Sequence, residues 1–317
     1  MKKLISLVTP CRNEEENVRQ LCEAVKTIFA GLPDYDYEHI FIDNSSSDRT
    51  VDILREIAVE DKHVKVIVNI QNYESRSGFH AIKQTTGDAF ILMACDFQDP
   101  PALIPKLIEL WEAGNPVVVA VKAKSEESAV MYFVRKIYYR LLRLISSSRQ
   151  IQNFTGFGIF DRLVRDCVRH SNNTMPYFRG MVAELGLPII EIEFVQPRRL
   201  RGKSSHNLYR YYDTAMIGFV NHSRLPLRFA IFVGLGVAFC SLCVALFYLV
   251  YKLLNWDTFN TGMAPLVLGL FFFSAVQLIF LGVLGEYVGA IWTQVRTNPN
   301  LIEKERINFP ETETEEK

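Results

Sequence analysis

Residues 4–30 read LISLVTPCRNEEENVRQLCEAVKTIFA. The opening Leu4-Ile5-Ser6-Leu7-Val8 is an apolar run that suits a buried strand. From Glu15 to Ala30 the apolar residues Val18, Leu21, Val25, Ile28 and Phe29 recur at helical spacing, which predicts an amphipathic helix. Between them lies a polar loop, Thr9-Pro10-Cys11-Arg12-Asn13-Glu14-Glu15. The stretch is therefore a strand, a loop and a helix in that order.

The unit repeats down the chain. His39–Ile42 reads as a strand, and Ser47-Asp48 can cap a helix over Thr50–Glu60. Val64–Val68, Ala89–Met93 and Pro116–Val121 read as further strands. Ser77–Thr86 and Ala102–Ala113 read as the helices between them. Alternating strands and helices predict βαβ units, a parallel sheet and right-handed crossovers, an α/β Rossmann-like fold. Ligands of such sheets lie beyond the carboxyl ends of the strands. Strand one delivers Thr9–Glu15 there, strand two Asp43-Asn44-Ser45-Ser46-Ser47-Asp48, and strand four Asp96-Phe97-Gln98-Asp99. Together these ends form a nucleotide-sized site containing acids. The G-x-G-x-x-G of a dinucleotide fold is missing after strand one, and Gly156-x-Gly158-x-x-Asp161 stands in the wrong context for it. A P-loop is missing too. A diphosphate then needs another counter-charge, and a hard divalent ion on Asp96 and Gln98 supplies one. Asp99 precedes Pro100-Pro101 and is placed to N-cap the next helix.

The last third of the chain differs in kind. Phe229–Tyr251 is 23 residues without a charge. As a helix it would reach roughly 35 Å, against the ~30 Å hydrocarbon core of a bilayer. A second uncharged stretch runs from Thr258 to Gly285 and is densest at Ala264–Leu284. The reading is a two-span hairpin at about 227–251 and 264–288. Arg210, Arg224 and Arg228 flank one end and Arg296 the other, so the positive-inside rule puts both flanks and the N-terminal portion in the cytoplasm. Gly285-x-x-x-Gly289 could let helices approach closely, which leaves a homo-oligomer open. Met131–Ile145, within 128–147, and the juxtamembrane segment 206–226 mix cations with aromatic and aliphatic residues and read as helices lying in the membrane interface. The expected order is a catalytic domain over 1–205, the juxtamembrane helix over 206–226, the spans within 227–292, and a cytoplasmic tail over 293–317. Its far end is acidic (Glu311, Glu313, Glu315, Glu316), and that end is expected to be disordered.

Charge and cysteine usage narrow the class. The formal net charge of the 317 residues is zero, so no global field marks a nucleic-acid binder. Six scattered cysteines give no disulfide framework and fit a reducing compartment. The start, Met1-Lys2-Lys3, leads straight into strand one without the apolar core of a secretory signal. No acid lies between Glu193 and Asp213, while Arg198, Arg199, Arg201, Lys203 and Arg210 do. Such a patch suits phosphate oxygens or anionic lipid.

Taken together, these stretches resemble the family-2 glycosyltransferases of GT-A fold. Within that family they are most similar to the polyisoprenyl-phosphate group, which includes dolichol-phosphate mannose synthases and bacterial bactoprenol glucosyltransferases. The resemblance is carried by VTPCRNEEEN, IDNSSSDRT, ACDFQDPP, TGFGIFDR, RRLRGKSS, HSRLPLR and GEYVGAIW, in the family's order. Two positions depart: Ala94 stands where the family has the first acid of D-x-D, and Asn44 where it has a second aspartate. NYESRSGFHA, residues 72–81, also differs from the glycine-containing consensus. The resemblance implies an enzyme that moves one sugar, glucose by preference, from a UDP-sugar to undecaprenyl or another polyprenyl phosphate, with inversion. It implies Mg²⁺ or Mn²⁺ on Asp96 and Gln98, and a nucleotide-sugar pocket lined by Pro10, Asn13, Glu14, Asp43 and Asp96. It also implies acceptor-phosphate contacts from Arg198, Arg201, Lys203 and Ser204, and Asp161 as the catalytic base or as a stabiliser of charge at the anomeric carbon. A turn role for Asp43, and the cap of a helix starting at Arg162 for Asp161, are the alternatives. The implied setting is a multi-pass protein of the bacterial inner membrane with both termini cytoplasmic. GDP-mannose as donor, a processive polysaccharide synthase and a non-catalytic membrane scaffold are the alternatives.

Overall fold

The computed structural model describes residues 2–123, 151, 153–171, 178–197, 225–254, 263–295 and 301–310. These fall into two compact units. The first contains an eight-stranded sheet: β1 (Lys3–Cys11), β2 (Tyr35–Asp43), β3 (Val64–Asn69), β4 (Ala89–Leu92), β5 (Val117–Lys122), β6 (Phe154–Asp161), β7 (Ile189–Phe194) and β8 (Glu303–Ile307). Their order across the sheet is β7-β5-β6-β4-β1-β2-β3-β8. Its helices are α1 (Val18–Ala30), α2 (Thr50–Glu60), α3 (Ser75–Gln84), α4 (Ile104–Glu112), α5 (Arg162–His170) and α6 (Phe178–Glu184).

The expected βαβ order is present in β1 to β4, which run parallel. Their runs are apolar on both faces because helices cover both sides. On one side Val18, Leu21, Val25 and Phe29 of α1 pack with Leu54 of α2 and Leu107 of α4 over Ile5 and Leu7. On the other, Phe79 of α3, Val164 of α5 and Phe178 of α6 pack over Val8, Ile40 and Phe90.

The sheet is mixed rather than wholly parallel. β6 runs antiparallel to both β4 and β5, and β8 antiparallel to β3. Gly158 permits the β5–β6 approach: a Cβ there would press into the Val118 carbonyl oxygen and lie 3.0 Å from Val119 Cα. This glycine therefore serves strand packing, not a phosphate cradle. Pairing of β8 corrects one expectation. Residues 303–307 lie in the stretch read as a tail, yet they form an edge strand of the sheet.

The second unit contains α7 (Leu225–Leu254) and α8 (Met263–Val295), of 30 and 33 residues, which touch each other. Large apolar side chains on both stand exposed, among them Phe232, Phe239 and Phe247 of α7 and Leu270, Leu278 and Ile291 of α8. Among the described residues, α8 alone is long and apolar enough to be a candidate membrane span, over Phe272–Gly289, none of it buried. Residues 128–147, 206–224, the link 255–262 and the acidic end 311–317 lie outside the described residues.

Candidate active site

Backbone strain marks one edge of the sheet. Asn13 (φ 56°), Ser45 (φ 58°), Glu74 (φ 52°) and Phe97 (φ 58°) follow the carboxyl ends of β1, β2, β3 and β4 in turn, and Asn153 (φ 56°) precedes β6 at the same edge. Non-glycine residues adopt positive φ at a cost and persist there when their surroundings hold them, as they do at binding sites.

The first two loops hold each other. Asn13 N–H donates to Ser46 Oγ at 2.9 Å, and its side-chain oxygen accepts from Ser47 N–H at 2.8 Å. Glu14 N–H donates to Thr50 Oγ1 at 2.8 Å, and Thr50 N–H donates to Asp48 at 3.0 Å. Asn13 itself is exposed, and Pro10 and Glu14 are half-buried. All three are thus available along the edge.

Asp43 takes the turn role that its position also suited. It is fully buried, and its carboxylate accepts from Ser46 N–H at 2.9 Å and from Ser46 Oγ–H. Burial raises its pKa, and the Ser46 bonds pull it back. Here Asp43 builds the turn on which Asn13 hangs. The departure at Asn44 also acquires a reason. Its Oδ1 accepts from Ser77 Oγ–H, from Tyr73 N–H at 3.3 Å and from Asn69 Nδ2–H at 3.3 Å. An amide oxygen serves these donors without placing a second charge beside buried Asp43.

After β4 the chain curls back on itself. Asp96 and Gln98, both half-buried, are joined by a 3.2 Å bond from Gln98 N–H to Asp96 Oδ1. Asp99, 5% exposed, accepts from Ala94 N–H at 2.9 Å and from Thr155 Oγ1 of β6 at 3.4 Å. Asp99 therefore does not cap the following helix: a 3₁₀ turn over Pro101–Leu103 precedes α4 and takes no side-chain cap. Its carboxylate closes the Ala94–Asp99 loop instead. Burial, together with the charge of Asp96, pushes the Asp99 carboxyl up to about 6, against the pull of Ala94 N–H and Lys122.

Lys122 was missed in the sequence although it ends β5 at this same edge, where the rule about strand ends points to it. Arg179 of α6 donates to the Phe154 carbonyl at 3.0 Å, next to Thr155. Arg198, Arg201, Lys203 and Ser204 lie outside the described residues. β7, which leads to them, runs parallel to β5 and ends at the same edge. Among the described residues no three His, Cys, Asp or Glu side chains gather as a metal cluster.

Asp161 is not at this edge. It pairs with Ala89, the first residue of β4, about 10 Å below the last. Because β6 is antiparallel to β4, its carboxyl end falls on the opposite side of the sheet from Asp96. One oxygen of Asp161 accepts from Leu163 N–H at 3.0 Å and caps α5, and the other accepts from Trp111 Nε1–H at 3.1 Å. We expect Asp161→Ala to cost about 1 kcal/mol of stability through the lost cap. Its turnover per folded molecule should stay within about twofold of wild type. A hundredfold loss of turnover with an unchanged melting curve would return Asp161 to the chemistry.

Residues 6–168 match the sequence profile described as glycosyl transferase family 2. The chain belongs to that family. It is a glycosyltransferase, and its α/β fold with a mixed sheet is the GT-A fold. The relatives extend past the catalytic domain. The chain is 30% identical over 307 residues to a bactoprenol glucosyl transferase of Shigella phage SfX, covering 95% of this chain and 99% of that one. It is 30% identical over 305 residues to a prophage bactoprenol glucosyl transferase homolog of Escherichia coli K12, covering 95% and 98%. It is also 30% identical over 301 residues to an uncharacterized glycosyltransferase of Bacillus subtilis 168, covering 93% and 91%.

Proposed function

We propose that this glycosyltransferase moves one sugar, glucose by preference, from a UDP-sugar to undecaprenyl or another polyprenyl phosphate, with inversion, at the cytoplasmic face of a bacterial membrane. The observation that carries this reading is the nearly end-to-end match with proteins named bactoprenol glucosyl transferase, apolar helices included. Pro10, Asn13 and Glu14 line the nucleoside end, on the turn that Asp43 and Ser46 build. Asp96 and Gln98 offer a carboxylate and an amide oxygen, a hard donor pair suited to Mg²⁺ or Mn²⁺ whose remaining ligands are substrate oxygens and water. Such an ion would neutralise charge on the departing diphosphate.

The acceptor is a phosphate monoester with a second pKa near 6, so near neutral pH it is already mostly deprotonated. It can attack the anomeric carbon without a dedicated base, which agrees with Asp161 lying elsewhere. Diphosphate and acceptor phosphate repel, so cations must hold them together. Lys122 is one, and Arg198, Arg201 and Lys203, with the Ser204 hydroxyl, are the others we assign to this task.

The greasy acceptor requires the site to meet a bilayer. α7 and α8 are taken as a hairpin, and β8 supports this. The strand that follows α8 completes the same sheet as the strands that precede α7. A chain crossing once would leave β8 on the wrong side, so the number of crossings between them is even. To test the reading, purified protein is offered polyprenyl phosphate and labelled UDP- and GDP-sugars, with and without EDTA. UDP-glucose should be the best donor and EDTA should stop transfer. A preference for GDP-mannose would change the donor, and no transfer from any donor would remove the reading.

A further inference from the structure

β8 is fixed to the catalytic unit by more than its ladder to β3. Arg55 of α2 grips Glu305 at 2.6 Å, and Asn308 Nδ2–H donates to the Ala58 and Val64 carbonyls at 2.6 and 2.8 Å. His80 of α3 meets Glu303 at 2.5 Å, and Arg306 meets the same carboxylate at 2.6 Å. Burial opposes the charge on Glu303, but these two partners outweigh it and hold its pKa down to about 2. Just before the strand, the Ile302 carbonyl accepts from Ile70 N–H at 3.1 Å, and Ile302 N–H donates to the Tyr73 hydroxyl at 3.2 Å.

Tyr73 is 7% exposed and lies in the loop between β3 and α3. Its N–H donates to Asn44 Oδ1, beside the Asp43–Ser46 turn that carries Asn13. Two hydrogen bonds thus link Ile302 to Tyr73 and Tyr73 to Asn44, whose chain neighbours Asp43 and Ser45 belong to the turn at the nucleoside end of the site. We infer that β8, the segment following the second apolar helix, is a positioning element of the donor pocket, acting through Tyr73. The inference rests on the donor-site reading above. It makes Tyr73 a positioning residue: it touches no substrate and sets the turn that does. It also gives the departure at residues 72–81 a purpose, because the tyrosine hydroxyl is what reaches the strand.

The test cuts one bond from both ends in the full-length protein. Tyr73→Phe removes the hydroxyl and keeps the ring, and Ile302→Pro removes the N–H. Each should raise the KM for UDP-glucose roughly 3- to 10-fold, the effect of one lost hydrogen bond. kcat and the KM for polyprenyl phosphate should stay within about twofold of wild type. The double variant should be no worse than the worse single one, since both remove the same contact. Donor KM unchanged in both single variants, or effects that multiply in the double, would overturn the inference. So would a uniform loss of kcat that tracks the melting temperature, which is what a merely structural role produces. Calorimetry with UDP and GDP separates the two levels. Active wild type with unchanged variants sinks the inference alone. Wild type that neither turns over nor binds either nucleotide sinks the donor-site reading and the inference with it.

Discussion

Asp96→Asn should lower sugar transfer roughly 10³-fold while leaving the melting temperature within about a degree. The size follows from the charge removed. A divalent ion stabilising a developing diphosphate contributes several kcal/mol, and each 1.4 kcal/mol is a factor of ten. Ala94 carries no carboxylate and that of Asp99 is held by the Ala94 N–H and Thr155, so on the proposed reading the ion would rest on Asp96 with the amide of Gln98. The amide variant keeps the shape and removes the negative charge that makes the ion's first protein ligand. Stability should survive, because Asp96 is half-buried and an amide oxygen also accepts from the Gln98 N–H. The measurement is transfer to polyprenyl phosphate across a Mg²⁺ and Mn²⁺ titration, beside a thermal melt. Wild-type turnover in the variant would mean that Asp96 holds no ion that matters.

How far the sequence disclosed this site depended on strand direction. β1, β2 and β4 each end in a polar cluster after an apolar run, so their loops could be found from pattern alone. Asp161 was given a catalytic role by the resemblance alone, and FTGFGIFD carries it to the other end of the strands. Nothing local tells a reader that β6 runs backwards. That is settled by its pairing with β4 and β5, a long-range fact. β8 escaped for another reason: EKERI has no apolar run, and an edge strand of charges held by ion pairs to α2 and α3 imitates a tail. Asp161, not Asp99, is the acid that caps a helix. Both precede a helix, and the Thr155 hydroxyl brought up by β6 and the folded-back Ala94 N–H decide that Asp99 closes a loop while Asp161 caps.

A second residue hidden from pattern reading supports the largest stability effect. Glu38 sits in the middle of β2, 3% exposed, where parallel strands are otherwise apolar. Its carboxylate accepts from Ser6 Oγ at 2.5 Å, Thr86 N–H at 2.6 Å and Lys65 Nζ at 2.5 Å. Burial by itself would raise its pKa, but the bonds from Lys65, Ser6 and Thr86 more than reverse this, and the net shift is downward. Lys65→Met removes the positive partner of Glu38 among the described residues and strands a buried charge. The expected cost is about 3–5 kcal/mol, because the desolvation already incurred is no longer offset. For a domain of this size that lowers the melting temperature by roughly 10 °C. The pH dependence should change sign as well. In wild type the folded pKa lies below the unfolded value of 4.5, so Glu38 stabilises above that pH and its contribution fades as pH falls below it. In the variant burial dominates, the folded pKa rises above the unfolded one, and stability is lost as pH climbs past the unfolded value. Melts of both proteins between about pH 3 and 8 read the two slopes. Glu38→Gln in the Lys65→Met background should recover part of the loss, since the stranded charge is gone while an oxygen remains for Thr86 and Ser6. Equal slopes in the two proteins, or a variant that melts with wild type, would mean that Lys65 does not carry the buried carboxylate.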